Sequence, residues 1–142
     1  MTNNPRCVVD TNVLISAALV KAGKPYQVVH WIVEHGVLLA SEATFEEVAT
    51  TLARPRFRKY LDAEDRVDYL NFIHGNSRFI KVTEHITECR DPKDDMFLEL
   101  AIGGQADYII SGDTDLLDMH PFRGLPIVRA ADFLEMALSE RT

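Results

Sequence analysis

The sequence lacks most of what a stapled, basic or membrane-embedded protein needs. Its two cysteines, Cys7 and Cys89, lie far apart and outside any Cys-x-x-Cys pair. That excludes a disulfide framework. With His85 the one histidine near either of them, no zinc-ligand spacing is present, and both thiols are expected to be reduced and buried. No apolar run approaches the roughly 20 residues of a bilayer span, and the N-terminus has no apolar stretch of signal-peptide length behind a basic region. A cytoplasmic protein with no membrane partner is the expectation. Positive charge is also scarce: 15 Lys and Arg stand against 22 Asp and Glu, for a net charge of -7, which argues against binding nucleic acid through a broad basic face. Neither GxxxxGK[ST] nor GxGxxG occurs, so nothing calls for a nucleoside triphosphate or a dinucleotide.

What is present is an ordinary globular composition, 46% apolar and 26% charged over 142 residues, suited to one domain spanning 1–142. Short β-branched runs alternate with helical patterns, which predicts an α/β fold with a largely parallel sheet. The strand candidates are Cys7-Val8-Val9, Val37-Leu38-Leu39, Phe79-Ile80-Lys81-Val82, Tyr108-Ile109-Ile110 and Ile127-Val128. Helices are predicted over 13–20, over 26–34 behind Pro25 and closing at Gly36, and from Ser41 as N-cap. Thr44 is a second cap candidate, with Glu47 at capping-box spacing beyond it. Further helices are predicted over 62–74, 94–103 and 130–137. No repeat, low-complexity tract or linker interrupts the pattern.

Against that skeleton the acids fall in a telling order. Asp10 ends the first strand inside the apolar run CVVDTNVLI, and Asp113 follows the fourth strand in YIISGD. The carboxyl ends of parallel strands are where open α/β sheets bind ligands. Asp94 opens a helix near the same edge, and Glu47 lies about one turn into the third. Each has a plain alternative, because an Asp after a strand often caps the next helix. Four carboxylates meeting in one pocket would raise one another's pKa and call for a cation. An all-oxygen ligand set favours Mg²⁺ or Mn²⁺ over zinc. Such ions handle phosphate, so phosphodiester hydrolysis is the leading chemistry.

The stretches VVDTNVLISAAL, SEATFEEVATTLARPRF, DPKDDMFLELAIGGQADYIISGDTDLL and PIVRAADFLE resemble PIN domains, in particular the branch of toxins from toxin–antitoxin modules. The resemblance implies a three-layer α/β/α sandwich around a mainly parallel five-stranded sheet. It also implies a Mg²⁺- or Mn²⁺-dependent endoribonuclease acting on single-stranded RNA, a possible antitoxin partner and a possible homodimer. Carried over by motif, the four catalytic acids are Asp10, Glu47, Asp94 and Asp113. Asp10, Asp94 and Asp113 are then metal ligands, with Asp115 as an accessory acid. Asn12 is expected to hold Asp10 by a hydrogen bond, and Ser111 to hold a carboxylate or a metal-bound water. Glu46 competes with Glu47, and Asp95 with Asp94; adjacent helical residues diverge by about 100°, so only one of each pair can face a pocket. Asp91 is assigned to the turn before Pro92.

The stretch Arg54-Pro55-Arg56-Phe57-Arg58-Lys59-Tyr60 reads in two ways. Arg54, Arg56, Arg58 and Lys59 form a patch for RNA phosphates with aromatics for stacking, or they are a solvated helix terminus with Phe57 and Tyr60 in the core. Trp31 and His30 read as packing residues, with residues 13–20 and 26–31 as an alternative apolar surface. The alternative function is a non-catalytic PIN-like RNA-binding or scaffold module. A haloacid-dehalogenase-like phosphatase would need DxDx[TV], where this chain has Asn12 and Leu14; a receiver domain would need a Lys after a late strand, where Arg129 follows Val128.

Overall fold

The apolar run that opens the chain folds as strand β1, Arg6–Val9, in the computed structural model, which describes residues 4–139. The ends of the span read as one domain, 1–3 and 140–142, lie outside the described residues. After β1 come α1 (Thr11–Leu19), α2 (Lys24–His35), β2 (Val37–Ala40) and α3 (Glu42–Leu52). A 3₁₀ turn at Pro55–Phe57 leads to α4 (Ala63–Asn76) and β3 (Ser77–Phe79). A second 3₁₀ turn, Pro92–Asp94, runs directly into α5 (Asp95–Gly103), followed by β4 (Tyr108–Ile110), α6 (Thr114–Leu117), β5 (Ile127–Val128) and α7 (Ala130–Ser139).

All five strands are parallel, in the order β3-β2-β1-β4-β5. Successive side chains of β1 point to opposite faces, as the pleat requires. Cys7 and Val9 pack with α1, α2, α3 and α7, around Ile32, Val48 and Phe133. Val8 packs on the other face with α5 and α6, around Leu98, Leu100 and Leu116. Helices therefore cover both faces, which is the three-layer α/β/α sandwich expected of a buried parallel sheet. Where α2 gives way to β2 the backbones nearly touch: Val37 N–H donates to the Pro5 carbonyl at 2.9 Å. A Cβ on Gly36 would stand 2.6 Å from that same oxygen, so the helix ends at a residue with no side chain.

The chain runs outward from β1 to β2 and β3, then returns to β4 on the other side of β1. The gap between the carboxyl ends of β1 and β4 is thus the topological switch point, where ligand crevices form in sheets of this kind. Asp10 N–H extends the ladder by donating to the Ile110 carbonyl at 3.0 Å, so Asp10 sits at that gap.

Two expectations need correction, and one helix was not foreseen. The third strand is Ser77–Phe79 rather than 79–82. It lies at the edge and pairs only with β2; Ile80 N–H makes a last bond to the Ala40 carbonyl, after which β2 has turned into α3 and offers nothing to pair with. The cap of α3 is Ser41, and Thr44 is its reciprocal partner in the capping box, not a second cap. Glu47 therefore has no capping duty. Finally, α6 is too short for its periodicity to show in sequence.

Trp31 and His30 pack as expected, Trp31 edge-on to Phe133 and His30 stacked on Phe72. Cys7 and Cys89 are free and buried, and burial pushes both thiols up. Among the described residues, no helix is long and apolar enough to cross a membrane.

Candidate functional site

Asp10 is the deepest of the acids, 3% exposed at the end of β1. Its backbone is extended, so the side chain turns back to cap α1 and Oδ1 accepts the Val13 N–H at 2.9 Å. Oδ2 accepts a short hydrogen bond from the Ser111 hydroxyl across the β1–β4 gap. The capping role and the pocket role are thus both real. Burial pushes the Asp10 carboxyl up; the bonds from Ser111, Val13 and Gly112 oppose that, while the nearby charge of Asp113 adds to it.

Ser111 is fully buried and links two acids. Its oxygen accepts the Asp113 N–H at 2.9 Å while its hydroxyl serves Asp10. Asp113 caps α6 by accepting the Asp115 N–H at 2.8 Å. Asp94 stands where a cap for α5 would stand, yet makes no capping bond, and its Oδ2 is enclosed without a hydrogen-bond partner. Its carboxyl is pushed up to about 7, first by burial, then by Asp113 through hydrogen bonding and charge, then by the charges of Asp91 and Asp10. A carboxylate left in that state is poised for a cation.

Asp10, Glu47, Asp94 and Asp113 line one pocket of about 260 Å³. Glu47 comes from the middle of α3, where Thr51 donates its hydroxyl to Oε1 at 3.4 Å. Glu46, one residue earlier, is exposed and lines a different cavity. Asp95 is likewise separated from Asp94: it is buried and accepts the Cys89 N–H at 2.9 Å, holding the segment before the second 3₁₀ turn. Asp95→Ala should therefore cost about 1–3 kcal/mol by leaving that amide unpaired. It is expected to lower the melting temperature while preserving the gain in melting temperature that Mn²⁺ gives; loss of that gain would make Asp95 part of the site.

Asn12 departs from its expected role, and Asp115 keeps an accessory place beside Asp94 rather than in the pocket itself. Asn12 is exposed and, among the described residues, makes no hydrogen bond to Asp10. As the second residue of α1 it points outward along the pocket wall, and Ser111 does the holding instead. Asp115 does not line this pocket. It pairs with Arg90 at 2.9 Å, and Arg90 also reaches Asp118 at 2.6 Å. Asp115 connects to the site through Asp94, since carboxylate oxygens of Asp91, Asp94 and Asp115 lie within 4.8 Å of one another. Asp91 does cap the 3₁₀ turn, accepting the Lys93 N–H at 3.0 Å, and lines the pocket as well.

The basic patch is divided. Arg54 and Arg56 line the pocket, whereas Arg58 and Lys59 do not, because successive turns carry the chain past Phe57 and away toward α4. Phe57 packs against the core, and Tyr60 is 62% exposed beneath the Lys59 ammonium, 5.1 Å from its ring centre. Neither of the two opposed readings of that stretch holds whole. Lys93 and Thr11, which sequence reasoning passed over, also line the pocket. Both adjoin acids singled out from the sequence, and adjacency was the available signal.

A family model for the PIN domain matches residues 6–115. The protein MJ1680 of Methanocaldococcus jannaschii, itself described as uncharacterized, is 32% identical over 116 residues, which is 80% of this chain and 74% of that one. The crystal structure of PAE2754 from Pyrobaculum aerophilum superposes with a TM-score of 0.64 over 98% of this chain and 94% of its own, at 14% identity. At that identity the likeness speaks to the fold.

Proposed function

The chain belongs to the PIN-domain family, whose members are commonly metal-dependent nucleases, and on that footing we propose that it is an endoribonuclease that hydrolyses single-stranded RNA with Mg²⁺ or Mn²⁺. The observation that carries this reading is Asp94: an enclosed carboxylate oxygen with no partner, in a pocket whose other acids raise its pKa. The residues present fit a hard divalent cation, because the pocket offers carboxylate oxygens from four separate segments and neither imidazole nor thiol. The whole chain reads as one nuclease domain, since both core clusters are built on a single sheet.

Asp10, Asp94 and Asp113 are the proposed ligands, with Asp115 as an accessory acid beside Asp94, and Ser111 orients Asp10 and Asp113 from the floor. When bound, the ion lowers the pKa of water and neutralises charge that develops on the phosphate. Glu47 reaches the pocket from α3, on its own wall, and is the group proposed to orient the attacking water. Its carboxylate accepts that water's proton as the P–O3′ bond breaks, and the departing 3′ oxygen takes up a proton from solvent, so that the products carry a 3′-hydroxyl and a 5′-phosphate. Arg54 and Arg56 take up flanking phosphates at the rim. Asp10 lies at the bottom of a small recess, which favours a flexible strand over a rigid duplex.

A toxin role with an antitoxin partner is the finer part of the reading. It is supported by the groove between α1, α2 and α4, where Leu19, Tyr26, Tyr69 and Phe72 lie beside the charged Lys21, Asp65 and Asp68. Incubating the purified protein with end-labelled single-stranded RNA, duplex RNA and single-stranded DNA in Mn²⁺ tests the nuclease reading. Cleavage of the first with 5′-phosphate ends is expected, and no cleavage of any substrate would leave the non-catalytic binding module instead. In the same assay Arg54→Gln and Arg56→Gln should each raise KM several-fold with little change in kcat and flatten the salt dependence of binding.

A further inference from the structure

Among the described residues two hydroxyls line the pocket, those of Thr11 and Thr51, and only the second has a protein partner; Ser111 lies beneath them. Ser111 serves Asp10 and Asp113, and Thr51 serves Glu47. Thr11 lines the same pocket, is 7% exposed, and its Oγ1 makes no hydrogen bond. Threonine inside a helix usually relieves this by donating to a carbonyl three or four residues back. Thr11 is the first residue of α1, and the residue four back, Cys7, belongs to β1, so that route is closed.

A buried hydroxyl without a partner is destabilising, and threonine differs from valine only by that oxygen. We infer that Thr11 is a further ligand-binding residue of the pocket, its hydroxyl completing a hydrogen bond with an oxygen of what binds there. That oxygen belongs either to the water shell of the divalent ion or to a phosphate of the RNA. This rests on the pocket being the metal-dependent nuclease centre, and it adds a residue that is neither acidic nor basic. Thr11 lines the pocket between Asp10 and the exposed Asn12, and its Oγ1, shielded from bulk solvent, is left without a protein partner there.

Thr11→Val and Thr11→Ser, compared with the unaltered protein, test the inference. In EDTA, Thr11→Val should melt at the same temperature or higher, because it removes an unsatisfied polar atom without changing shape. Calorimetric titration with Mn²⁺ alone should then show an affinity about tenfold weaker if the partner is a metal-bound water. Binding of a short single-stranded phosphorothioate RNA in Ca²⁺ should show that loss instead if the partner is a phosphate oxygen. Thr11→Ser keeps the hydroxyl and should retain most of the affinity in both. Thr11→Val matching the unaltered protein in both titrations overturns the inference, as does a melting temperature in EDTA below that of the unaltered protein. If the unaltered protein binds no Mn²⁺ at all, the reading of the pocket falls and the role of Thr11 falls with it, which is a different result from equal binding by both.

Discussion

Asp10→Asn should reduce Mn²⁺-dependent cleavage of single-stranded RNA by at least roughly 100-fold, the upper end of what losing even an outer-shell partner costs a metal site. The substitution is nearly isosteric. The carbonyl oxygen of the introduced side chain still accepts the Val13 amide, and its NH₂ group can donate to Ser111 once that hydroxyl turns, so the β1–β4 gap keeps its shape. What is lost is a negative charge held at 3% exposure. Because burying that charge is itself unfavourable, the variant in EDTA should be no less stable than the unaltered protein. The gain in melting temperature that Mn²⁺ gives should disappear. That gain corresponds to about 2.7 kcal/mol when the ion is at about 100 times its dissociation constant. Cleavage surviving in Asp10→Asn would remove Asp10 from the centre. A melting temperature that falls in EDTA would instead make its role structural.

The second large effect concerns pH. Asp94 has its carboxyl pushed up to about 7 in the folded protein, first by burial, from 3.8 as the ordinary value. Between those two values the folded state holds a proton that the unfolded state has released, so the metal-free protein loses stability as pH rises from about 4 to about 7. Asp10, also raised by burial, acts in the same direction. Because Asp94 is only half-buried, solvent screening makes the loss smaller than the full ~1.36 kcal/mol per pKa unit, so a fall of a few degrees in melting temperature is expected. A divalent cation competes with that proton, so the stabilisation by Mn²⁺ should grow across the same interval. Asp94→Asn should flatten the metal-free profile, raise the melting temperature at pH 8 and abolish the response to Mn²⁺. Melting curves from pH 5 to 8, in EDTA and in Mn²⁺, read all three. A metal-free profile that climbs toward pH 8 would show that the acids are not crowded as the geometry implies.

Much of this centre was legible before folding. Asp10 interrupts an apolar run at the point where a strand must end, and Asp113 follows another strand in the same way. Helical angle allows only one of Glu46 and Glu47 to face the pocket, the family motif points to Glu47, and the structure leaves Glu46 on another cavity. Asp94 and Asp95 were harder, because Asp94 ends a 3₁₀ turn and Asp95 begins α5, so the 100° step of an α-helix does not carry across the pair. Residues 79–82 have the short, β-branched character of a strand, but a strand also needs a neighbour, and β2 ends first. The basic stretch failed as a unit for a similar reason: its composition is uniform, while the turns within it send Arg54 and Arg56 one way and Arg58 and Lys59 another.

The sequence by itself determined the alternation of strands and helices, the placing of acids after strands, and the all-oxygen chemistry those acids allow. These are local properties, written in the spacing of apolar residues and in the identity of the side chains. Only the tertiary structure decided who holds Asp10. Asn12 is two residues away and points outward, whereas Ser111 is 101 residues away and donates to it, because the sheet places β4 beside β1. Strand order is a property of the whole chain, and it also leaves Thr11 with a hydroxyl that no protein group satisfies.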